Sequence, residues 1–108
     1  MFRSIERRKQ DEASRRAGVP AALEARLGEF ARRHGGRYVL YGSLARGGAR
    51  SDSDVDLLVD FPPELEAEAW RLAEEACASM RIPCDVKPLA WCTNAFREKA
   101  LSEARIIA

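Results

Sequence analysis

The sequence predicts an α/β domain built on one small sheet. Three short runs, 37–42, 54–61 and 83–89, carry the β-branched and aromatic residues of buried strands. Segments with apolar residues at helical spacing stand around and between them. At 108 residues the chain has material for one hydrophobic core, not two, and alternating helices and strands close such a core by packing helix on sheet.

The elements follow in order. Residues 1–18 hold little apolar matter beyond Phe2 and Ile5. Six basic residues (Arg3, Arg7, Arg8, Lys9, Arg15 and Arg16) stand there against three acidic ones (Glu6, Asp11 and Glu12). The segment reads either as a frayed or solvated helical arm or as a basic patch for a partner or RNA. It divides the chain into an arm, 1–18, and a domain, 19–108. In "VPAALEARLGEFARRHGG", Pro20 suits a first helical position. Leu23, Leu27, Phe30, Ala31 and His34 share one face, and Gly35-Gly36 ends the helix. His34, the lone histidine, reads as a capping or packing residue of that last turn. The strand at 37–42 is followed by a short helix at Leu44-Ala45-Arg46. The strand at 54–61 is stopped by Pro62-Pro63, which prime a helix over 64–80 with Leu65, Ala69, Leu72, Ala76 and Met80 on one stripe. Pro88 closes the third strand. Thr93 is an N-cap for a last helix over 93–104, and Arg105-Ile106-Ile107 suits an edge strand.

Composition narrows the class. Hydrophobic residues make up 46% and charged residues 32%, the balance of a folded globular chain. A net charge of +1 selects neither nucleic acid nor membrane as a partner. No apolar run reaches the roughly 20 residues of a membrane span, and the N-terminus lacks the apolar stretch of a signal peptide. Cys77, Cys84 and Cys92 are odd in number and form no Cys-x-x-Cys pair, so they read as reduced thiols rather than disulfides or zinc ligands. The expected compartment is the cytoplasm.

The chemistry lies in "YGSLARGGARSDSDVDLLV", residues 41–59. Carboxylates beside an apolar strand do not serve stability. Side chains alternate along a strand, so Asp54 and Asp56 share one face while Val55, Leu57 and Val59 point into the core. Asp85 and Lys87 share a face of the third strand, and Asp85 joins the other two if the strands are neighbours. Three carboxylates together repel. A divalent cation relieves this, and hard oxygen ligands with substrate phosphates suit Mg²⁺. Upstream, Gly42 lets an anion approach the backbone, and Ser43 adds a hydroxyl beside free N–H groups. Phosphate cradle and metal ligands together describe a site for a nucleoside triphosphate with Mg²⁺. No Gly-Lys-Ser/Thr follows, so this is not a P-loop, and no Gly-x-Gly-x-x-Gly opens a helix.

Gly42-Ser43-x-Ala45-Arg46-Gly47, with Ser53-Asp54-x-Asp56-Leu57 after it, resembles the minimal nucleotidyltransferase (MNT) branch of the DNA polymerase β-like nucleotidyltransferase superfamily. The likeness runs from about residue 20 onward and includes Cys84-Asp85-Val86-Lys87-Pro88 as the third-carboxylate strand. Gly48 stands where relatives often carry a charge. The resemblance implies a small mixed sheet with helices packed on one face. It implies that Asp54 and Asp56 bind two Mg²⁺ ions, and that Asp85 ligates the catalytic one and helps deprotonate the acceptor. Gly42 and Ser43 would hold the β- and γ-phosphates of ATP or another nucleoside triphosphate. Arg46 would touch phosphate or, as surface arginines do, pair or stay solvated; Lys87 shares the active face.

A chain this short has no surplus surface for gripping an acceptor. The expected acceptor is then presented by a separate protein, or is itself a protein. The resemblance implies a HEPN-domain helical RNase toxin, with this chain as an antitoxin that transfers AMP to it as a protein adenylyltransferase. Two alternatives stand beside this: a non-catalytic module that occludes its partner, and nucleotidyl transfer to a small molecule. The basic arm, the flank at Phe96 and Arg97, and Trp70 or Trp91 are candidates for the contact surface, with core packing the other role for the two tryptophans.

Overall fold

The computed structural model describes residues 2–108, the side chains of Phe2 and Arg3 excepted, so what those two side chains add to the arm lies outside what is described. Helix α1 spans Phe2–Ala17 and α2 spans Val19–Arg33, with a break at Gly18 between them. Strand β1 is Arg37–Tyr41, β2 is Val55–Asp60, α3 is Pro63–Ser79 and β3 is Cys84–Pro88. A 3-10 turn, Leu89–Trp91, leads to α4, Asn94–Ser102, and to β4, Arg105–Ile107.

The four strands form one mixed sheet in the order β3-β2-β1-β4. β1 pairs antiparallel with β2 and with β4, and β2 pairs parallel with β3 across the α3 crossover. The edge strand at 105–107 is therefore real, although it is only three residues long.

Alternation sorts the strand residues onto two faces. Tyr38, Leu40, Val55, Leu57, Val59 and Val86 meet Leu23, Leu27 and Ala31 of α2 and Ala69, Ala73, Ala76 and Cys77 of α3 in the main core. Burying a leucine such as Leu23 or Leu27 contributes about 1.5–3 kcal/mol. On α3 the fully buried positions are small, Ala69, Ala73, Ala76 and Cys77, while Leu65, Leu72 and Met80 pack at the margin. Small residues let the helix lie close to the sheet. Tyr38 is fully buried, and its hydroxyl donates to the Ala69 carbonyl at 2.8 Å, tying β1 to α3.

Helices α2 and α3 thus share a face, as expected. The opposite face is not bare. Val39 and Leu58 pack there against Leu89 and Ala100, with Tyr41, Cys92 and Phe96 beside them. Helix α4 lies on this face, capped by Thr93, whose Oγ1 accepts from the Phe96 N–H at 3.2 Å. Three segments differ from the sequence reading. The short helix expected at Leu44-Ala45-Arg46 is a turn, in which the Gly48 N–H bonds the Ser43 carbonyl at 3.0 Å around Gly47, whose φ is +79°. Too few residues separate Gly42 from Gly47 for a helix to propagate. The arm is a continuous helix rather than a frayed one. Asp54 precedes β2 instead of opening it.

Candidate active site

Asp56 is the centre of the arrangement. The register sets it opposite Tyr41 on β1 and Asp85 on β3, so all three side chains stand on the α4 face at one end of the sheet. Asp54 lies two residues before Asp56, ahead of the strand, near enough for its charge to act on Asp56. Asp56 is half-buried and has no ion-pair partner among the described residues. Burial raises its carboxyl above the ordinary aspartate range, and the negative charges of Asp85 and then Asp54 raise it further, against a smaller opposing effect of Lys87. The other two carboxylates have cations nearby: Arg16 Nη1 stands 3.7 Å from Asp54 Oδ1, and Lys87 Nζ stands 3.5 Å from Asp85 Oδ2. Lys87 also sits 4.9 Å over the Phe96 ring, and Phe96 meets Tyr41 edge-on at 5.5 Å.

Gly42 follows Tyr41 with φ +79°. A Cβ built there would stand 2.5 Å from Asp56 Oδ2. The residue is glycine because of its left-handed backbone and because the Asp56 carboxylate fills the space a side chain needs. Ser43 Oγ donates to Ser53 Oγ at 3.1 Å, and the same Ser53 oxygen accepts the Arg50 N–H at 2.8 Å. Ser53 is 5% exposed. This buried hydroxyl joins the Gly42-Ser43 turn to the stretch carrying Asp54 and Asp56, and its place in the Ser53-Asp-x-Asp motif was the one sequence signal for it.

The structure brings Gly42, Ser43, Asp54, Asp56 and Asp85 to one end of the sheet. Arg46 stays near Gly42 but turns to α4, where its Nη1 pairs with Glu103 Oε2 at 2.7 Å. The pair walls a cleft of about 260 Å³ beside Gly42, Tyr41, Phe96 and Lys99. A larger cleft of about 480 Å³ lies at the far end of the β1–β2 ladder, by Arg37 and Asp60, and holds none of these residues. Of the other singled-out residues, His34 packs on Phe30 with ring centroids 4.5 Å apart. Trp70 packs against the core, whereas Trp91 is 68% exposed and meets Trp70 edge-on at 5.2 Å. Arg97 bonds the Leu89 and Ala90 carbonyls. All three cysteines are free thiols, and burial pushes the Cys77 thiol up to about 12. No described helix is long and apolar enough to cross a membrane.

The donor set suits a hard divalent cation. It consists of oxygen ligands with a half-buried, uncompensated carboxylate at its centre. Among the described residues no three such groups stand close enough to hold a metal ion by themselves. A hard cation here would need further oxygens, such as the phosphates of a substrate, beyond these carboxylates.

A mixed sheet with neighbouring carboxylates and a glycine turn at one end is an arrangement that suits phosphate transfer. Residues 23–107 match the family model described as a nucleotidyltransferase domain, and the chain belongs to that family. It is also similar to a solved structure of a presumed minimal nucleotidyltransferase, at 33% identity over 83% of this chain and 89% of that one, with a TM-score of 0.57. No curated protein matches the chain at a significant level.

Proposed function

We propose that the protein transfers a nucleoside monophosphate, AMP by its resemblance to the MNT branch, from a nucleoside triphosphate to a hydroxyl of a HEPN-type helical partner, and so acts as an antitoxin. One observation carries the transfer reading: the register pair Asp56–Asp85 with Gly42 closed against Asp56. It sets the carboxylates and the phosphate turn side by side on elements of a rigid sheet. The resemblance and the exposed Trp91 support a protein partner, since exposed aromatics suit protein interfaces.

In this reading Gly42 and Ser43 hold the β- and γ-phosphates against the turn. The acceptor oxygen attacks the α-phosphorus. A new P–O bond forms as the bond to the bridging β-phosphate oxygen breaks, and pyrophosphate leaves with that oxygen. Asp85 takes up the acceptor's proton. Asp54, Asp56 and Asp85 are the residues that would hold Mg²⁺, which when bound supplies positive charge to the phosphates and makes the acceptor hydroxyl more acidic.

The assay incubates the protein with Mg²⁺, each α-labelled nucleoside triphosphate and the helical protein encoded beside it. Label on the partner, abolished by Asp54→Asn, is the expected result. Tight binding and neutralisation that survive Asp54→Asn, with no label, would make the protein an occluding binder. Label on a small molecule without any protein contact would move the acceptor off the partner.

A further inference from the structure

Two turns feed the carboxylate strands, one at 50–54 into β2 and one at 80–83 into β3. Helix α1 reaches both. Arg16 Nη1 donates to the Ser53 carbonyl at 2.7 Å, and Arg15 Nη1 donates to the Met80 carbonyl at 2.6 Å. Arg15 Nη2 also donates to the carbonyl of Arg81 at 3.1 Å. Arg81 has φ +53°, a left-handed backbone that a non-glycine residue adopts only when its surroundings hold it there. A single carboxylate orients both guanidiniums: Arg16 Nε donates to Glu12 Oε1 at 2.9 Å and Arg15 Nε at 3.0 Å. The two turns are themselves joined, since the Val55 N–H donates to the Pro83 carbonyl at 3.0 Å. The Arg16 side chain is only 13% exposed, while Arg15 and Glu12 keep about a third of theirs in solvent. All three residues precede residue 23, where the family match begins.

We infer that Glu12, Arg15 and Arg16 form a clamp that positions the entry of β2, with Asp54 and Asp56, against the entry of β3, with Asp85. They are positioning residues. Arg16 acts first on the backbone, because its carbonyl contact at 2.7 Å is a hydrogen bond while the Asp54 carboxylate stands at 3.7 Å. The inference rests on the reading of these three aspartates as the transfer site. It also changes the meaning of the basic arm: of its arginines, Arg15 and Arg16 are spent inside the molecule rather than on a partner.

The test uses the full chain with Arg16→Met, Arg16→Lys and Glu12→Gln, and with Asp54→Asn as the control for the site. Lysine keeps the charge but loses the guanidinium fork that reaches Glu12 and Ser53 together. Amide hydrogen exchange is read at 53–56 and 82–86, and affinity for Mn²⁺ alone is read by electron paramagnetic resonance. Both Arg16 variants should speed exchange at 53–56 about tenfold, the loss of one charge-assisted hydrogen bond. Both should weaken Mn²⁺ about five- to tenfold. Glu12→Gln should loosen both turns. Unchanged exchange in Arg16→Met and Arg16→Lys would overturn the clamp. Tighter Mn²⁺ binding in Arg16→Met, returned to the wild-type value by lysine, would also overturn it and make Arg16 a competing cation. If wild type binds Mn²⁺ no better than Asp54→Asn, the transfer-site reading falls, and exchange alone then decides whether the turns are clamped.

Discussion

At Gly42 and Asp56 two neighbouring residues constrain each other. Alanine at 42 meets both a φ of +79° and the Asp56 carboxylate. Gly42→Ala should therefore cost about 1–3 kcal/mol in urea denaturation, and Asp56→Ala in the same chain should recover part of it. Failure of that recovery would leave the backbone angle as the only reason for the glycine. Asp56 carries the opposite sign. Its folded pKa is raised, chiefly by burial, so its ionisation works against folding: stability is greatest below the unfolded aspartate pKa and declines as pH rises through the folded value. Asp56→Asn removes that cost. Its melting temperature at pH 7 should exceed the wild type's by about 2–4 °C, a figure discounted for solvent screening at a partly exposed group. The gain should vanish toward pH 3, while transfer is lost at every pH.

Among the elements, the turns that carry the site depend on side chains more than on backbone regularity. Ser53 is the clearest case. Ser53→Ala leaves the Ser43 hydroxyl and the Arg50 N–H without their partner, and should lower stability by about 1–2 kcal/mol. It should also weaken nucleotide binding in calorimetry, because the 42–47 turn loses its tie to the 50–54 turn. Helix α1 answers to acid. Hydrogen bonds from Arg15 and then Arg16 lower the Glu12 carboxyl to about 2. Its contribution is complete above the ordinary glutamate pKa, near 4.5, and is lost as pH falls toward about 2. Exchange in residues 4–17 should therefore rise between pH 4 and pH 2 in wild type, and be already fast at pH 6 in Glu12→Gln.

The molecule as a whole divides its labour between the two faces of the sheet. One face, under α2 and α3, holds the main core. The other carries a small cluster around Val39, Leu58, Leu89 and Ala100, with the carboxylates at its end. Ligand binding on that second face should stabilise the whole fold. Mg²⁺ with a non-hydrolysable nucleoside triphosphate at 100 times its Kd adds about 2.7 kcal/mol, or about 10 °C for a domain of this size. Asp54→Asn should abolish most of this shift in a thermal melt. An equal shift in both proteins would place the ligand elsewhere.

The α/β class and most element boundaries, to within two residues, follow from the amino-acid sequence alone. Those features are local: period, caps and breakers act within a few residues, and Pro62-Pro63, Thr93 and Gly35-Gly36 each mark an end that the fold uses. Asp56 was placed for the same reason, since alternation sets it on the face opposite Val55 and Leu57, whereas Asp54 lies ahead of the strand, where alternation does not reach. The pairing of β2 with β3 was not legible, because strand order depends on contacts between segments distant in the chain, and the third carboxylate gains its place only through the register Asp56–Asp85. Arg46 turned to Glu103 because α4 folds back over the second face, which no spacing within 42–47 could signal. The arm shows the limit most plainly. Glu12, Arg15 and Arg16 look in sequence like any charged helix surface, and only the packed fold, which carries the carbonyls at 53, 80 and 81 to the end of α1, turns them into ligands of the two turns that hold the site.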